Sequence, residues 1–255
     1  MSPVDVPFRL DGPADAPVLV LSNSIGSTSA MWDPQVPALS ERFRVVRYET
    51  RGHAGAPLPE GPYSIADLGG DVVALLDRLG VERAHFAGLS LGGMTGMWLG
   101  VNAADRIDRL TLMCTSAMLA RDVDWPARAA LVREQGTGAI AQATLERWFT
   151  AGFIASHPDV AGRWRATISD TPAEGYAGCA EAIASMDLED DIAHVTAPTL
   201  VIAGRQDPAT PPPHGELIAS RIPGARFEIV DAAHLANYER PRDVTRLVLS
   251  HLEVR

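Results

Sequence analysis

Short apolar runs rich in β-branched residues alternate with helical patterns along most of this chain, and that alternation restricts the possible folds more than any other feature. The runs are Val18 to Ser22, Arg44 to Tyr48, Ala84 to Gly88, Leu110 to Cys114, Thr199 to Ala203 and Phe227 to Val230. Each is bounded by turn residues and reads as a buried strand. The clearest helix spans Ser64 to Leu79. Ser64 is its N-cap, Asp67 follows three residues on, Leu68, Val72, Leu75, Leu76 and Leu79 share a face, and Gly80 is the stop. Strands alternating with helices predict the α/β class, with a mostly parallel central sheet flanked by helices. The alternation lapses after Thr115 and resumes near Thr199. The stretch from 119 to 190 is helical in pattern, carries Trp125, Trp148, Phe149, Trp164 and Tyr176, and far exceeds a usual connection of about 2 to 6 residues. The expected organisation is a core domain of 1–118 and 191–255 with a helical cap inserted at 119–190. The last helix, Arg242 to Leu252, turns Val244, Leu247, Val248 and Leu252 to the core.

Composition narrows the chemistry. The net charge is -10 and no basic run occurs, which argues against a nucleic-acid partner because phosphate neutralisation needs a basic face. All 22 basic residues are Arg, and the lack of Lys removes Schiff-base chemistry and the lysine of a phosphate-binding loop. Cys114 and Cys179 lie far apart with no Cys/His cluster around them, so no disulfide framework, zinc site or other metal is expected and a reducing compartment fits. The first residues, MSPVDVPFRLDGPADAP, carry acids and prolines where a signal peptide needs a basic segment and an apolar run. No apolar stretch approaches membrane-spanning length. A cytoplasmic protein is expected, without cofactor, nucleic acid or membrane partner; the oligomeric state is left open.

The sharpest motif is Gly88-Leu89-Ser90-Leu91-Gly92, a G-x-S-x-G pattern between the strand Ala84 to Ala87 and a helix running through Met94, Met97 and Trp98. With 22 Gly in 255 residues, the bare pattern arises by chance roughly 0.1 times, so its placement between strand and helix carries more weight. A nucleophile elbow needs that placement, because the serine sits at a strained turn where side chains two residues away on either side would collide. The bland alternative is a glycine-rich turn with a capping serine. Partners weigh against it: Asp207 follows the strand ending at Ala203, and His234 follows the strand ending at Val230. A serine hydroxyl is a weak nucleophile until an imidazole takes its proton, and the imidazole needs a carboxylate to fix its tautomer. Ser90, Asp207 and His234 are therefore the candidate catalytic triad. Asp231 and Asp191 are the other acids that could stand in for Asp207, with Asp231, three residues from His234, better suited to supporting the loop. His53, His85, His157, His194, His214 and His251 read as surface or capping residues.

The residues that carry a resemblance cover nearly the whole chain. They are Leu21-Ser22-Asn23-Ser24-Ile25-Gly26 with Met31-Trp32-Asp33-Pro34-Gln35, then Tyr48-Glu49-Thr50-Arg51-Gly52-His53, then the run from Ala84 to Gly100. On these the sequence resembles the α/β-hydrolases and, among them, is similar to the 3-oxoadipate enol-lactonases of aromatic-acid breakdown. Asn23-Ser24, in place of the His-Gly of most relatives, is the form the lactonases tend to show, whereas Arg51-Gly52-His53-Ala54-Gly55-Ala56 departs from the usual turn. The resemblance implies an α/β-hydrolase fold and an oxyanion hole of two backbone N–H groups, those of Ile25 and Leu91. It implies hydrolysis of a small anionic enol lactone by a carboxylic ester hydrolase. The substrate carboxylate would need a cation from the cap: Arg128 first, with Arg121 and Arg147 behind it. Trp125, Trp148 and Phe149 would wall the pocket, although aromatic residues at such spacing also serve to join cap to core. A general carboxylesterase or a cofactor-free perhydrolase of the same fold, and a non-catalytic binding protein on a hydrolase scaffold, are the competing readings.

Overall fold

The computed structural model describes residues 1–119 and 123–253. The six expected strands form, and a seventh precedes them: β1 (Phe8–Asp11), β2 (Val18–Ser22), β3 (Arg44–Tyr48), β4 (Ala84–Leu89), β5 (Ile107–Met113), β6 (Thr199–Gly204) and β7 (Arg226–Val230). They make one sheet in the order β1-β3-β2-β4-β5-β6-β7. All pairings are parallel except that of β1, which lies antiparallel on β3 with Phe8 opposite Tyr48. The α-helices before β5 are α1 (Val36–Leu39), α2 (Ile65–Arg78) and α3 (Leu91–Asn102). The start of α2 shows why the sequence breaks where it does. Ser64 Oγ accepts from the N–H of Asp67 at 3.2 Å, and the Asp67 carboxylate accepts from the N–H of Ser64 at 2.9 Å, which satisfies two donors that a helix start leaves without partners.

Between β5 and β6 stand α4 (Trp125–Gln135), α5 (Gly138–Trp148), α6 (Ala151–Ser156), α7 (Pro158–Ser169) and α8 (Ala173–Ser185); α9 (Pro212–Arg221), α10 (Ala236–Glu239) and α11 (Pro241–Leu252) complete the chain. The inner strands β2 to β6 bury both faces over most of their length, as a sheet covered on both sides must, and the edge strands β1 and β7 are partly exposed. In β2, Leu19 and Leu21 join the core that holds Leu39, Val244, Val248 and Leu252, while Val20 joins the one that holds Leu68, Val72, Leu76 and Met97. The helices between β5 and β6 meet the loops of the sheet at close range. A Cβ on Gly52, in the loop after β3, would lie 2.4 Å from the Cα of Gly175 in α8, and one on Gly175 would lie 2.0 Å from the carbonyl oxygen of Gly52. Only two glycines permit backbones to meet there. On the other side, Trp164 of α7 packs edge-on against Trp148 and Tyr238, with ring centroids 5.7 and 5.4 Å apart. Among the described residues no helix is long and apolar enough to cross a membrane.

Candidate active site

In a parallel sheet, loops at the carboxyl ends of the strands collect on one edge, and β4, β6 and β7 deliver Ser90, Asp207 and His234 there. Ser90 has φ 58° and ψ -116°, a conformation L-residues rarely adopt. The strain is held from several sides: the N–H of Ser90 donates to Met113 O at 2.9 Å, and its carbonyl accepts from Thr115 Oγ1 at 2.7 Å. The flanking glycines are dictated by space. A Cβ on Gly88 would sit 2.1 Å from Gly92 O, and one on Gly92 would sit 2.4 Å from Ser22 O.

Asp207 follows β6 and is buried, with both oxygens committed. Oδ1 accepts from the N–H groups of Ala209 (2.8 Å) and Thr210 (3.1 Å); Oδ2 accepts from the hydroxyl of Thr210 (2.8 Å) and from His234 Nδ1 (2.8 Å). Burial alone would raise its pKa, but the electrostatic pull of the facing His234 ring and these hydrogen bonds outweigh burial and hold the carboxyl below its ordinary value. The Nδ1–H donated to Asp207 fixes the tautomer, so Nε2 of His234 carries the lone pair. Ser90 and His234 line the same cavity. Among the described hydrogen bonds none joins Ser90 Oγ to the ring, a contact that commonly tightens only with substrate present. Asp231 is exposed and accepts from Gln206 Nε2 at 2.9 Å, bracing the β6 and β7 loops.

The loop after β2 is tied through Asn23 and Gly26. Asn23 donates its amide to Tyr48 O at 2.8 Å, accepts from Trp32 Nε1 at 3.1 Å, and its carbonyl takes the N–H of Gly92 at 3.0 Å. The N–H of Gly26 donates to His53 Nε2 at 3.0 Å, while His53 Nδ1 faces Arg51 O at 3.1 Å. Burial holds the pKa of His53 down to about 4, so the ring is a neutral acceptor toward Gly26. Among the described hydrogen bonds Ile25 and Leu91 donate none from their peptide N–H groups, which leaves the two expected oxyanion donors uncommitted beside Ser90.

The cavity has a volume of about 310 Å³ and is walled by Ser90, His234, Ile25, Trp125, Trp148 and Arg128, with Arg147 at its more exposed side. Arg128 is oriented by neutral groups: Nε donates to Tyr176 Oη at 2.8 Å and an Nη to Thr144 Oγ1 at 2.9 Å, with the guanidinium 5.6 Å from the Trp125 ring centroid. The pKa of Arg147 is lowered, by partial burial first and then by the like charge of Arg128. Among the described residues no carboxylate pairs with either arginine. Arg121 lies outside the described residues. The indole N–H of Trp125 is buried without a hydrogen-bond partner. Phe149 turns away from the cavity and stacks on Phe153 at 4.8 Å.

The reading of the remaining histidines as surface or capping residues needs correction at three positions. His53 is buried behind the loop after β2, His251 is buried with Nε2 3.1 Å from Leu110 O, and His214 lines the cavity with Nδ1 2.9 Å from Ser116 Oγ. Their neighbours are distant in sequence, so local context carried no signal for them. Among the described residues no group of three or more His, Cys, Asp or Glu is placed to hold a metal ion.

A family model described as the alpha/beta hydrolase fold matches residues 17–241. The chain belongs to the α/β-hydrolase family. Within it, 3-oxoadipate enol-lactonase 2 of Acinetobacter baylyi is 41% identical over 231 residues, which cover 91% of this chain and 86% of that relative. The crystal structure of the enol-lactonase from Burkholderia xenovorans is 43% identical and superposes with a TM-score of 0.96, covering 98% of this chain and 97% of that one. A hydrolase of Pseudomonas aeruginosa is 46% identical with a TM-score of 0.95, covering 98% and 95%. The α/β-hydrolase elbow, the acid after β6 and the histidine after β7 thus occur in a chain whose similarity to these relatives spans nearly its full length.

Proposed function

We propose that this protein is a cytoplasmic, cofactor-free serine hydrolase that opens the ring of 3-oxoadipate enol-lactone to give 3-oxoadipate in aromatic compound breakdown. The observation that carries the reading is the content of one small cavity: a strained serine, an imidazole backed by a carboxylate, and two arginines without an acidic partner among the described residues. Such a lining favours a compact substrate with one ester carbonyl and one negative charge, and the enol-lactonase relatives support that choice. Helices α4 to α8 serve as the cap. Arg128 meets the substrate carboxylate, with Arg147 beside it and Trp125 and Trp148 as apolar walls.

In this reaction His234 Nε2 takes the proton of Ser90 Oγ as the oxygen attacks the lactone carbonyl. The oxyanion is held by the N–H groups of Ile25 and Leu91, each worth about 3 to 4 kcal/mol. Collapse breaks the ring C–O bond, and the departing enolate oxygen receives the proton from His234. An enolate leaves more readily than an ordinary alkoxide, and ketonisation of the enol pulls the reaction forward. Water, deprotonated by His234, then attacks the acyl-serine, and Ser90 regains its proton as the new carboxylate departs.

The test is hydrolysis of the enol lactone and of neutral aryl esters by the wild type and by Ser90→Ala. The lactone is expected to be the better substrate, with a loss of at least ~10³-fold in the mutant. Faster aryl-ester turnover would favour a general esterase, and near-normal turnover by Ser90→Ala would remove the nucleophile. Arg128→Ala is expected to raise KM for the lactone about 10-fold or more, the scale of a lost charge-assisted bond, with little change for a neutral ester.

A further inference from the structure

A second carboxylate stands behind His234. Glu239, the last residue of α10, is 5% exposed, and its two oxygens receive three donors. Oε2 accepts from the peptide N–H of Ala233 at 3.1 Å and of Thr150 at 3.2 Å, and Oε1 accepts from the Thr150 hydroxyl. Thr150 is the N-cap of α6, its Oγ1 accepting from the N–H of Phe153 at 3.2 Å. One buried carboxylate therefore joins the residue before His234 to the residue two beyond Trp148. Two backbone bonds run beside it: the N–H of His234 to Arg147 O at 3.4 Å and the N–H of Leu235 to Trp148 O at 2.9 Å. The segment so fastened belongs to the inserted helices and carries two of the cavity's own side chains, Arg147 and Trp148.

We propose that Glu239 is a positioning residue for the reaction, holding the His234 loop and the Arg147–Trp148 end of α5 in one frame so that the base and the cavity wall keep a fixed spacing. The inference rests on the reading of Ser90 and His234 as nucleophile and base. Charge-assisted bonds to a buried carboxylate are among the stronger ones, and deleting the acceptor strands two peptide N–H groups in the interior. The imidazole loop then has a single weak tie to α5, the 3.4 Å bond, and one good one. Small displacements of a catalytic group are costly in rate even when the fold survives.

The experiment measures the rate at which a phosphonate labels Ser90, together with kcat and KM for the enol lactone and a neutral aryl ester, in Glu239→Ala, Glu239→Gln and Thr150→Val. Labelling requires Ser90 activated by His234, so a brace with no bearing on the reaction would lower stability and leave it unchanged. Glu239→Ala is expected to slow labelling and kcat about 10- to 100-fold on both substrates. Glu239→Gln keeps an acceptor for the two N–H groups and can offer its amide to the second lone pair of the Thr150 hydroxyl, so it should fall within about threefold of the wild type. Thr150→Val frees only the inserted segment and should raise KM for the anionic lactone more than for the neutral ester. Wild-type labelling and turnover in Glu239→Ala, or equal damage in Glu239→Gln, overturns the proposal. If Glu239→Ala does not fold, Thr150→Val decides, and unchanged KM values on both substrates overturn it. Ser90→Ala keeps the two readings apart: residual full turnover there defeats the nucleophile, whereas its loss alongside a normal Glu239→Ala defeats only the frame.

Discussion

A carboxylate that accepts four hydrogen bonds is fixed in direction as well as in charge. Asp207 is in that state, with Ala209, Thr210 twice, and His234 as donors. Asp207→Asn would set an amide N–H against one of these donors or force the imidazole into the other tautomer, leaving no lone pair toward Ser90. We expect kcat to fall about 10³- to 10⁴-fold with the fold intact and KM little changed; stopped-flow turnover together with circular dichroism checks both halves of that statement. The elbow glycines are sensitive for a different reason, since a methyl on Gly92 meets backbone at 2.4 Å, not a side chain able to swing away. Gly92→Ala should cost about 3 kcal/mol or more in urea unfolding, or fail to fold, the scale of forced overpacking combined with backbone distortion. At this scale the sequence was readable wherever chemistry and steric need coincide, as at Ser90 with its two glycines. It was silent at His53 and Glu239, whose partners Gly26, Thr150 and Ala233 become neighbours only through the tertiary fold.

Elements were legible in proportion to how much of their stability is local. The helix expected from Ser64 to Leu79 forms as α2 with its capping box in place, because Ser64 and Asp67 satisfy each other without help from the rest of the chain. Ser64→Ala should destabilise the protein by about 1 kcal/mol, read as a lowered unfolding midpoint at unchanged slope. The buried strands β2, β3 and β6 were found from their apolar runs, within a residue at each end. β1 was not, since Phe-Arg-Leu-Asp is short, half polar and partly exposed, and exists as a strand through its antiparallel pairing with β3. β5 begins three residues before its expected start at Leu110, with Asp108 and Arg109 interrupting the apolar pattern that marks the remainder.

Over the whole molecule, stability should decline on mild acidification. Burial holds the pKa of His53 at about 4, and burial together with the charge of Arg109 does the same for His251, against an ordinary value of 6.5. Both rings are neutral in the fold and bind a proton on unfolding once the pH drops below about 6.5, so the stability they contribute is complete above that pH and is lost as pH falls toward 4. Each can supply a slope of as much as about 1.4 kcal/mol per pH unit in that window. Asp207, held low, adds loss in the same direction at lower pH. Glu49 and Asp71, raised by burial, act in the opposite sense across the carboxylate range. Urea unfolding at pH 7, 6 and 5 should show the decline, and His251→Gln, whose amide can still donate to Leu110 O, should reduce the slope by roughly half. An undiminished slope in that variant would assign the effect elsewhere. The meeting of Gly52 with Gly175 bears on any attempt to recombine this protein with a relative. The seat for α8 is a stretch of bare main chain, so a transplanted insertion with any side chain at position 175, or a recipient with one at 52, would rest more than an ångström too high and carry Tyr176 and its bond to Arg128 away with it. The helices between β5 and β6 are therefore not a freely exchangeable cassette, and chimeras should be drawn with both glycines inherited as a pair.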